Sequence, residues 1–269
     1  MLIKNKMDKN YIIGLLRLFK NNFLSLFKIR PYFFSLRYKS NSYLLKNSNE
    51  HVYIAYPNRV GFYFYGISNR INGLVESFGA TNEIILSEND VVVDVGSNIG
   101  EFSIGIAKSV KQVYAFDPDP SVIDSFNCNT KLFSNIKHFP FALSEKSGSI
   151  NFYLKGDTAD SSMIENGSDN IVTVPSIRFD SVKEIINLDA IKLFKCDAEG
   201  AEPEVLRGMG DIFKKIEYIS IDCGFERGIS QESTRTDVLE ILESNSFRIV
   251  NDGLSSNRNI IIAQNKNIG

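Results

Sequence analysis

The chain has 269 residues, 43% hydrophobic and 23% charged, which excludes wholesale disorder and fits one or two globular domains. Its three cysteines (Cys128, Cys196, Cys223) form no C-x-x-C pair, and its two histidines (His51, His138) are too few for a multi-histidine metal site. The net charge of −2 hides a split, because residues 1–49 hold ten Lys/Arg against one acid, a net of +9, and leave −11 for the rest.

Scattered cysteines point to a reducing, cytoplasmic compartment rather than a disulfide scaffold. An acidic body is a poor partner for nucleic acid. No uncharged apolar run approaches the ~18–20 residues of a spanning helix. The first element is expected in YIIGLLRLFKNNFLSLFKIRP. At ~100° per residue, Ile12, Leu15, Leu16, Phe19, Phe23, Leu26 and Phe27 share an arc of about 120°, and Pro31 stops the helix. Arg17 splits the apolar stretch and no small-x-small cleavage site follows, so a signal peptide fits poorly. Residues 1–50 therefore read as a basic amphipathic segment. It can pack on the body or another subunit, or make peripheral contact with the inner face of a membrane through residues 10–30.

Residues 51–66, HVYIAYPNRVGFYFYG, predict two short strands around a Pro57-Asn58 turn, and 69–79 a helix closed by Gly79. This β-hairpin and helix form a lead-in over 51–90. From residue 91 strands alternate with helices. VVVDVG (91–96) is a β-branched run suited to a strand buried on both faces. A helix follows over 99–109, then the strand QVYAFD (112–117) and a helix over 119–132. IKHFPFAL (136–143) is a third strand weakened by Pro140, and SINFYL (149–154) a further antiparallel piece. Polar residues 155–170 make a loop that could close over a site. IVTVPSI (171–177) reads as an edge strand because of Pro175. Helices over 180–187, 202–214 and 234–244 then alternate with strands over 191–197, 218–223, 247–250 and 259–264. The pattern predicts an α/β domain over 91–265, an open, mostly parallel sheet with helices on both faces.

Three segments carry chemistry. Asp94-Val95-Gly96-Ser97-Asn98-Ile99-Gly100 sits at a strand-to-helix turn, where glycines allow close backbone approach and a new helix can offer free N–H groups. Its spacing is neither G-x-G-x-x-G nor a P-loop, and an acid there opposes a pyrophosphate but suits a cationic or amino-acid group. Asp117, ending the next strand 17 residues after Gly100, can accept from both hydroxyls of a ribose. Lys195-Cys196-Asp197-Ala198-Glu199-Gly200-Ala201-Glu202 brings three acids to the end of a central strand. Crowded carboxylates raise one another's pKa and can prepare a general base. Asp197 is the leading candidate, whereas Glu202 can equally sit in a first helical turn and balance the dipole. The acid cluster could admit magnesium, yet no metal site is expected.

DVGSNIGEFS, AFDPDPSVIDSFNCN and KCDAEGAEPEVLRG resemble the FkbM-type S-adenosylmethionine-dependent methyltransferases. That family's pattern runs D-V-G-A-N-I-G, A-F-E/D-P and K-x-D-V-E-G-A-E with a following V-L-x-G. The likeness covers about residues 91–250. Ser97 replaces the usual Ala, Asp117 stands where Glu is common, and Cys196 and Ala198 depart within the third motif. The resemblance implies a class I methyltransferase (Rossmann-like) fold with a seven-stranded sheet, binding S-adenosyl-L-methionine and methylating a hydroxyl of a small-molecule or glycan acceptor. Carried onto this chain, Asp94, Gly96, Asn98 and Gly100 would surround the methionine part, Asp117 would hold the ribose and Ala142 would lie near the adenine. Asp197 and Glu199 would face the acceptor as catalytic residues. Asp222 and Glu226, after the fifth strand, are second-choice acceptor ligands. The alternatives are an NAD-dependent oxidoreductase, opposed by the missing G-x-G-x-x-G, and a non-catalytic cofactor-binding module.

Overall fold

A computed structural model describes residues 9–156, 160–254 and 259–268. Helix α1 (Lys9–Leu26) leads into an antiparallel meander of β1 (Ser35–Lys39), β2 (Ser42–Lys46) and β3 (His51–Ile54). The sequence reading left β1 and β2 unassigned. Their signal was the two-residue turn Ser40-Asn41, whose residues both hold positive φ, the geometry of a tight hairpin. This sheet crosses the boundary expected at residue 50.

The second strand expected within 51–66 is instead a 3₁₀ turn over Pro57–Tyr63. Pro57, Val60 and Tyr63 are buried at a spacing of three, the period at which 3₁₀ side chains eclipse. Helix α2 (Ile67–Ser77) follows between Gly66 and Gly79, both at positive φ. Leu18, Phe34, Leu45, Val52, Ile54, Val60 and Ile67 share one apolar cluster with Ile99 and Val122, so the lead-in packs directly on the main sheet's helices and loops.

The main domain then runs β4 (Val91–Val95), α3 (Glu101–Ile106), β5 (Gln112–Phe116), α4 (Ile123–Thr130), β6 (Ile136–Phe139), β7 (Ala142–Leu143), β8 (Gly148–Tyr153) and β9 (Ile171–Ile177). It continues with α5 (Lys183–Ile186), β10 (Ile191–Cys196), α6 (Glu202–Arg207), β11 (Ile216–Asp222), β12 (Phe225–Arg227), β13 (Glu232–Ser233), α7 (Arg235–Ser244), β14 (Phe247–Asn251) and β15 (Ile260–Asn265). The helix expected over 202–214 breaks after Arg207, and a 3₁₀ turn over Gly210–Lys215 replaces its second half.

Seven strands form one sheet in the order β14-β15-β11-β10-β4-β5-β6. Pairs among β11, β10, β4, β5 and β6 are parallel, and β15 pairs antiparallel with both its neighbours. The central strands are buried on both faces. Val93, Val95, Phe194, Cys196, Ile261 and Ala263 pack on one side, and Val92, Leu193, Ile260 and Ile262 on the other. This is the period-two alternation of a strand, apolar in both phases.

Pro140 splits the third expected strand, so β6 ends in the main sheet and β7 begins another. That second sheet has the order β7-β9-β8, which makes β9 its middle strand and not an edge. Pro175 is tolerated there because β7 reaches only Ser176 and Ile177 of β9. On that side nothing in β7 asks for the N–H that proline lacks.

Candidate active site

Strand order fixes where a site can form. The chain leaves β4 toward β5 on one side, and β10 returns on the other, so β4/β10 is the point where an open α/β sheet binds ligands beyond its carboxyl edge. Register then aligns three motifs. Val95 lies opposite both Phe116 and Cys196, so Gly96, Asp117 and Asp197 emerge together. A cleft opens there, lined by all three and by Ser97, Asn98, Ala142, Lys195 and Glu199.

The β4 turn is closed on itself. The N–H groups of Gly96 and Ser97 both donate to Phe116 O (2.9 and 3.1 Å), Asn98 N–H donates to Asp117 Oδ2 (2.7 Å), and Gly100 N–H donates to Ser97 O (2.8 Å). Ile99 N–H is taken by Asn98 Oδ1 at 2.9 Å. The amides of residues 96–100 are therefore spent within the turn. Glu101 adds an acid in the first turn of α3, so the motif offers little to a pyrophosphate. Gly96 holds φ +69°, and a Cβ there would collide with the main-chain oxygen of Asp197. Only glycine lets the first and third motifs meet.

Asp94 does not line the cleft. It is fully buried beneath the turn, where it accepts from Ser103 Oγ at 2.6 Å and pairs with Lys195 Nζ at 3.0 Å. The parallel register places Asp94 directly opposite Lys195. Lys195 also donates to Val95 O and Gly96 O, each at 3.0 Å, and its ammonium lies 5.0 Å from the Phe78 ring centroid. Burial opposes the lysine's charge, but Asp94 and Asp197 more than offset it and hold its pKa above the ordinary value. Asp94 thus shapes the turn through Lys195.

Asp117 accepts from the amides of Asn98 and, at 2.9 Å, Asp119. Burial first, then the charge of Asp119, pushes it up to about 7. Gly100, at φ +87°, packs against the Phe126 ring and serves the turn rather than the cleft wall. Ala142 lines the cleft beside Phe116, Phe141, Leu143, Phe152 and Met163. Residues 157–159 of the expected loop lie outside the described residues. Ser161 and Met163, on its far side, do reach the cleft.

The third motif divides in two. Glu202 is buried and clamps its own loop, accepting from Ala198 N (2.9 Å), Gly200 N (3.1 Å) and Thr234 Oγ1 (2.9 Å). Burial pushes it up to about 7. Asp197 and Glu199 instead face Glu226 from β12, and one carboxylate oxygen of each lies within 4.8 Å of the others. Burial, then Asp197, then Glu226 drive Glu199 well above the usual carboxylate range, and burial with Asp197 pushes Glu226 up to about 8. Glu199 stands at φ +50°, and its buried Oε2 has no hydrogen-bond partner among the described residues. These are also the described residues whose oxygens could hold a divalent cation. Asp222 accepts from Gly224 N at 3.0 Å, and its charge adds to the rise of Glu226. Cys196 and Cys223 are buried free thiols, with Cys128 the third.

Residues 94–249 match the Methyltransferase FkbM domain. The chain belongs to this methyltransferase family. It is similar to hexuronic acid methyltransferase AglP of Haloferax volcanii, 29% identical over 141 residues covering 50% of this chain and 56% of that protein. Methyltransferase 1 of Beauveria bassiana is 26% identical over 149 residues, covering 46% of this chain and 60% of that protein. The chain thus spans little more than half the length of these curated relatives. Among solved structures, magnesium protoporphyrin IX methyltransferase from Synechocystis with bound SAM shows 13% identity and a TM-score of 0.43, covering 74% of this chain and 79% of that one. The seven-stranded sheet described above is the class I methyltransferase architecture on its own strand order.

Arg59 and Arg70 were not anticipated. Both line the cleft from the lead-in, outside the family domain, and Arg70 Nε pairs with Glu101 at 3.3 Å. Glu226 was read only as a second-choice acceptor ligand. Its encounter with Asp197 depends on the short β12–β13 hairpin, which local sequence does not advertise.

Proposed function

We propose that the chain is an S-adenosylmethionine-dependent O-methyltransferase that methylates a hydroxyl of a sugar-containing acceptor. The cleft suits this cofactor. The helix after its turn opens on an acid, Glu101, which disfavours the pyrophosphate of a nicotinamide dinucleotide. Ser97 Oγ is buried at the cleft wall with no hydrogen-bond partner among the described residues, so a polar ligand atom would satisfy it. Asp117 stands where a ribose diol would be held, and Asn98 and Gly96 where the amino-acid end would lie.

When bound, S-adenosylmethionine supplies a methyl group made electrophilic by its sulfonium charge. The protein's part is then alignment and proton removal. The observation that carries the reading is the gathering of Asp197, Glu199 and Glu226 at one end of the cleft. No histidine lines this cleft among the described residues, which leaves the carboxylates as the side chains suited to take the acceptor's proton. We assign that role to Asp197, with Glu199 orienting the hydroxyl and Glu226 sharing the proton. An acidic acceptor would add a further carboxylate to this crowded cluster, which favours a hydroxyl acceptor. The printed name of the Haloferax relative supports a sugar acceptor.

Two measurements test this. Calorimetric titration should show binding of S-adenosylmethionine and its demethylated product but not NAD, with loss of at least tenfold in Asp117→Ala. Radiolabelled methyl transfer across neutral and acidic sugars should yield alkali-stable ethers. NAD binding would overturn the cofactor assignment, and alkali-labile product would overturn the hydroxyl as acceptor.

A further inference from the structure

Helix α1 is inserted back to front for a protein surrounded by water. Its buried residues are Gly14, Leu18, Asn21 and Ser25, a stripe at helical spacing composed mostly of small and polar side chains. The stripe is specifically seated. A Cβ at Gly14 would collide with the carbonyl of Pro57. Asn21 Nδ2 and Ser25 Oγ donate to Tyr32 O at 2.9 and 2.8 Å, and Arg17 donates to Asn58 O. These contacts fix which face looks outward.

The outward face is the apolar one. Ile12, Leu15, Leu16, Phe19, Phe23, Leu26 and Phe27 are all exposed, Phe19 at 73% and Leu26 at 67%. Ile29 and Phe33 extend the patch beyond the helix. Exposed apolar patches of this kind mark interaction surfaces. The charge around the patch identifies the partner. Residues 9–49 contain eight Lys/Arg and no acid. Lys20, Lys28, Arg37 and Lys39 are exposed, and none is ion-paired among the described residues. A second copy docking here would bring the same positive charge against itself. No described helix is long and apolar enough to cross a membrane.

We propose that α1 docks the protein on an anionic lipid bilayer, lying in the interface with Phe19, Phe23 and Phe27 among the acyl chains and Lys20 and Lys28 at the headgroups. Apolar insertion and attraction to anionic headgroups then act together, as for other interfacial helices. Because α1 rests on the 57–63 turn, and Arg59 of that turn lines the cleft, the bilayer would lie one structural layer from the site. The inference does not depend on the methyl-transfer reading.

The test is co-sedimentation of the full chain with vesicles of phosphatidylcholine alone or mixed with phosphatidylglycerol. Binding is expected only to the anionic vesicles, weakening as salt rises. Phe19→Ser/Phe23→Ser and, separately, Lys20→Glu/Lys28→Glu should each lower the partition coefficient at least tenfold. Both pairs should still unfold cooperatively with only a small change in thermal midpoint, because these side chains lie on the exposed face of α1. Absence of binding to anionic vesicles at low salt would overturn the proposal. So would full binding by the Phe pair variant, which would leave charge alone. A dimer in light scattering that Phe19→Ser/Phe23→Ser dissolves would assign the face to a second copy instead.

Discussion

Asp94 with Lys195, and Asp197 with Glu199 and Glu226, lie side by side at the carboxyl edge of β4 and β10, yet their electrostatics are opposite. In the first group a buried carboxylate meets a buried ammonium at 3.0 Å, and the ammonium's remaining protons reach two main-chain oxygens. In the second, three acids approach one another with no cation among them, and two are pushed well above the ordinary carboxylate range. Neutralised charge builds the turn that the cleft is made from. Unneutralised charge stores proton affinity at the same edge. One strand end supplies both, because Lys195 turns to Asp94 and two main-chain oxygens while the loop after it brings Asp197 and Glu199 toward β12.

The comparison predicts opposite responses to mutation. The largest loss should come from Lys195→Met, which leaves Asp94 buried and uncompensated at about 3–5 kcal/mol of stability. Denaturant unfolding at neutral pH measures it, and a loss below about 1 kcal/mol would mean that Asp94 is neutral in the fold. Asp197→Asn should lower methyl transfer by ~10²–10⁴-fold, the range of a positioned acid–base group. The same change should leave the unfolding midpoint unchanged or raised, since it relieves repulsion. Retained turnover would move the base to Glu199 or Glu226.

The pH dependence follows from the same contrast. Asp117 and Glu202 (about 7) and Glu226 (about 8) hold protons in the folded chain at pH values where an unfolded carboxylate has released them. The folded state therefore binds more protons between the ordinary carboxylate range and about 8, and stability must fall as pH rises through that window. The thermal midpoint of the cofactor-free protein should decline from pH 5 to 8.5, and Glu226→Gln should flatten its upper part. A midpoint that rises over this range would contradict the buried, protonated acids. The smallest expected effect is that of EDTA, which should leave turnover unchanged if the cluster works as a base. Loss restored by magnesium would show that a cation neutralises it.

The parallel strands were legible because runs such as Val91–Val95 and Ile191–Cys196 carry apolar side chains in both phases. The second strand of the lead-in was misread because the spacing of three among Pro57, Val60 and Tyr63 resembles alternation over so short a stretch. Pro175 misled for a topological reason, since a proline can sit in a middle strand whose neighbour stops short of it. At the site, sequence placed Gly96, Asn98, Asp117, Ala142, Asp197 and Glu199, all of which line the cleft. It read Asp94 as a ligand because the register that pairs it with Lys195, a hundred residues away, is absent from local pattern. Arg59, Arg70, Phe152 and Met163 were invisible for the same reason, as each arrives through tertiary packing.

The second sheet has a consequence for how such a protein can change its acceptor. Ala142 and Leu143 pair with Ser176 and Ile177, so the segment between them departs from the domain and rejoins it at one seam. That segment carries Phe152, Ser161 and Met163 to the cleft while contributing no strand to the seven-stranded sheet. It is a cassette. Exchanging residues 144–175 between relatives would redraw one wall of the cleft and leave the β4 turn, Asp117 and the acid cluster in place.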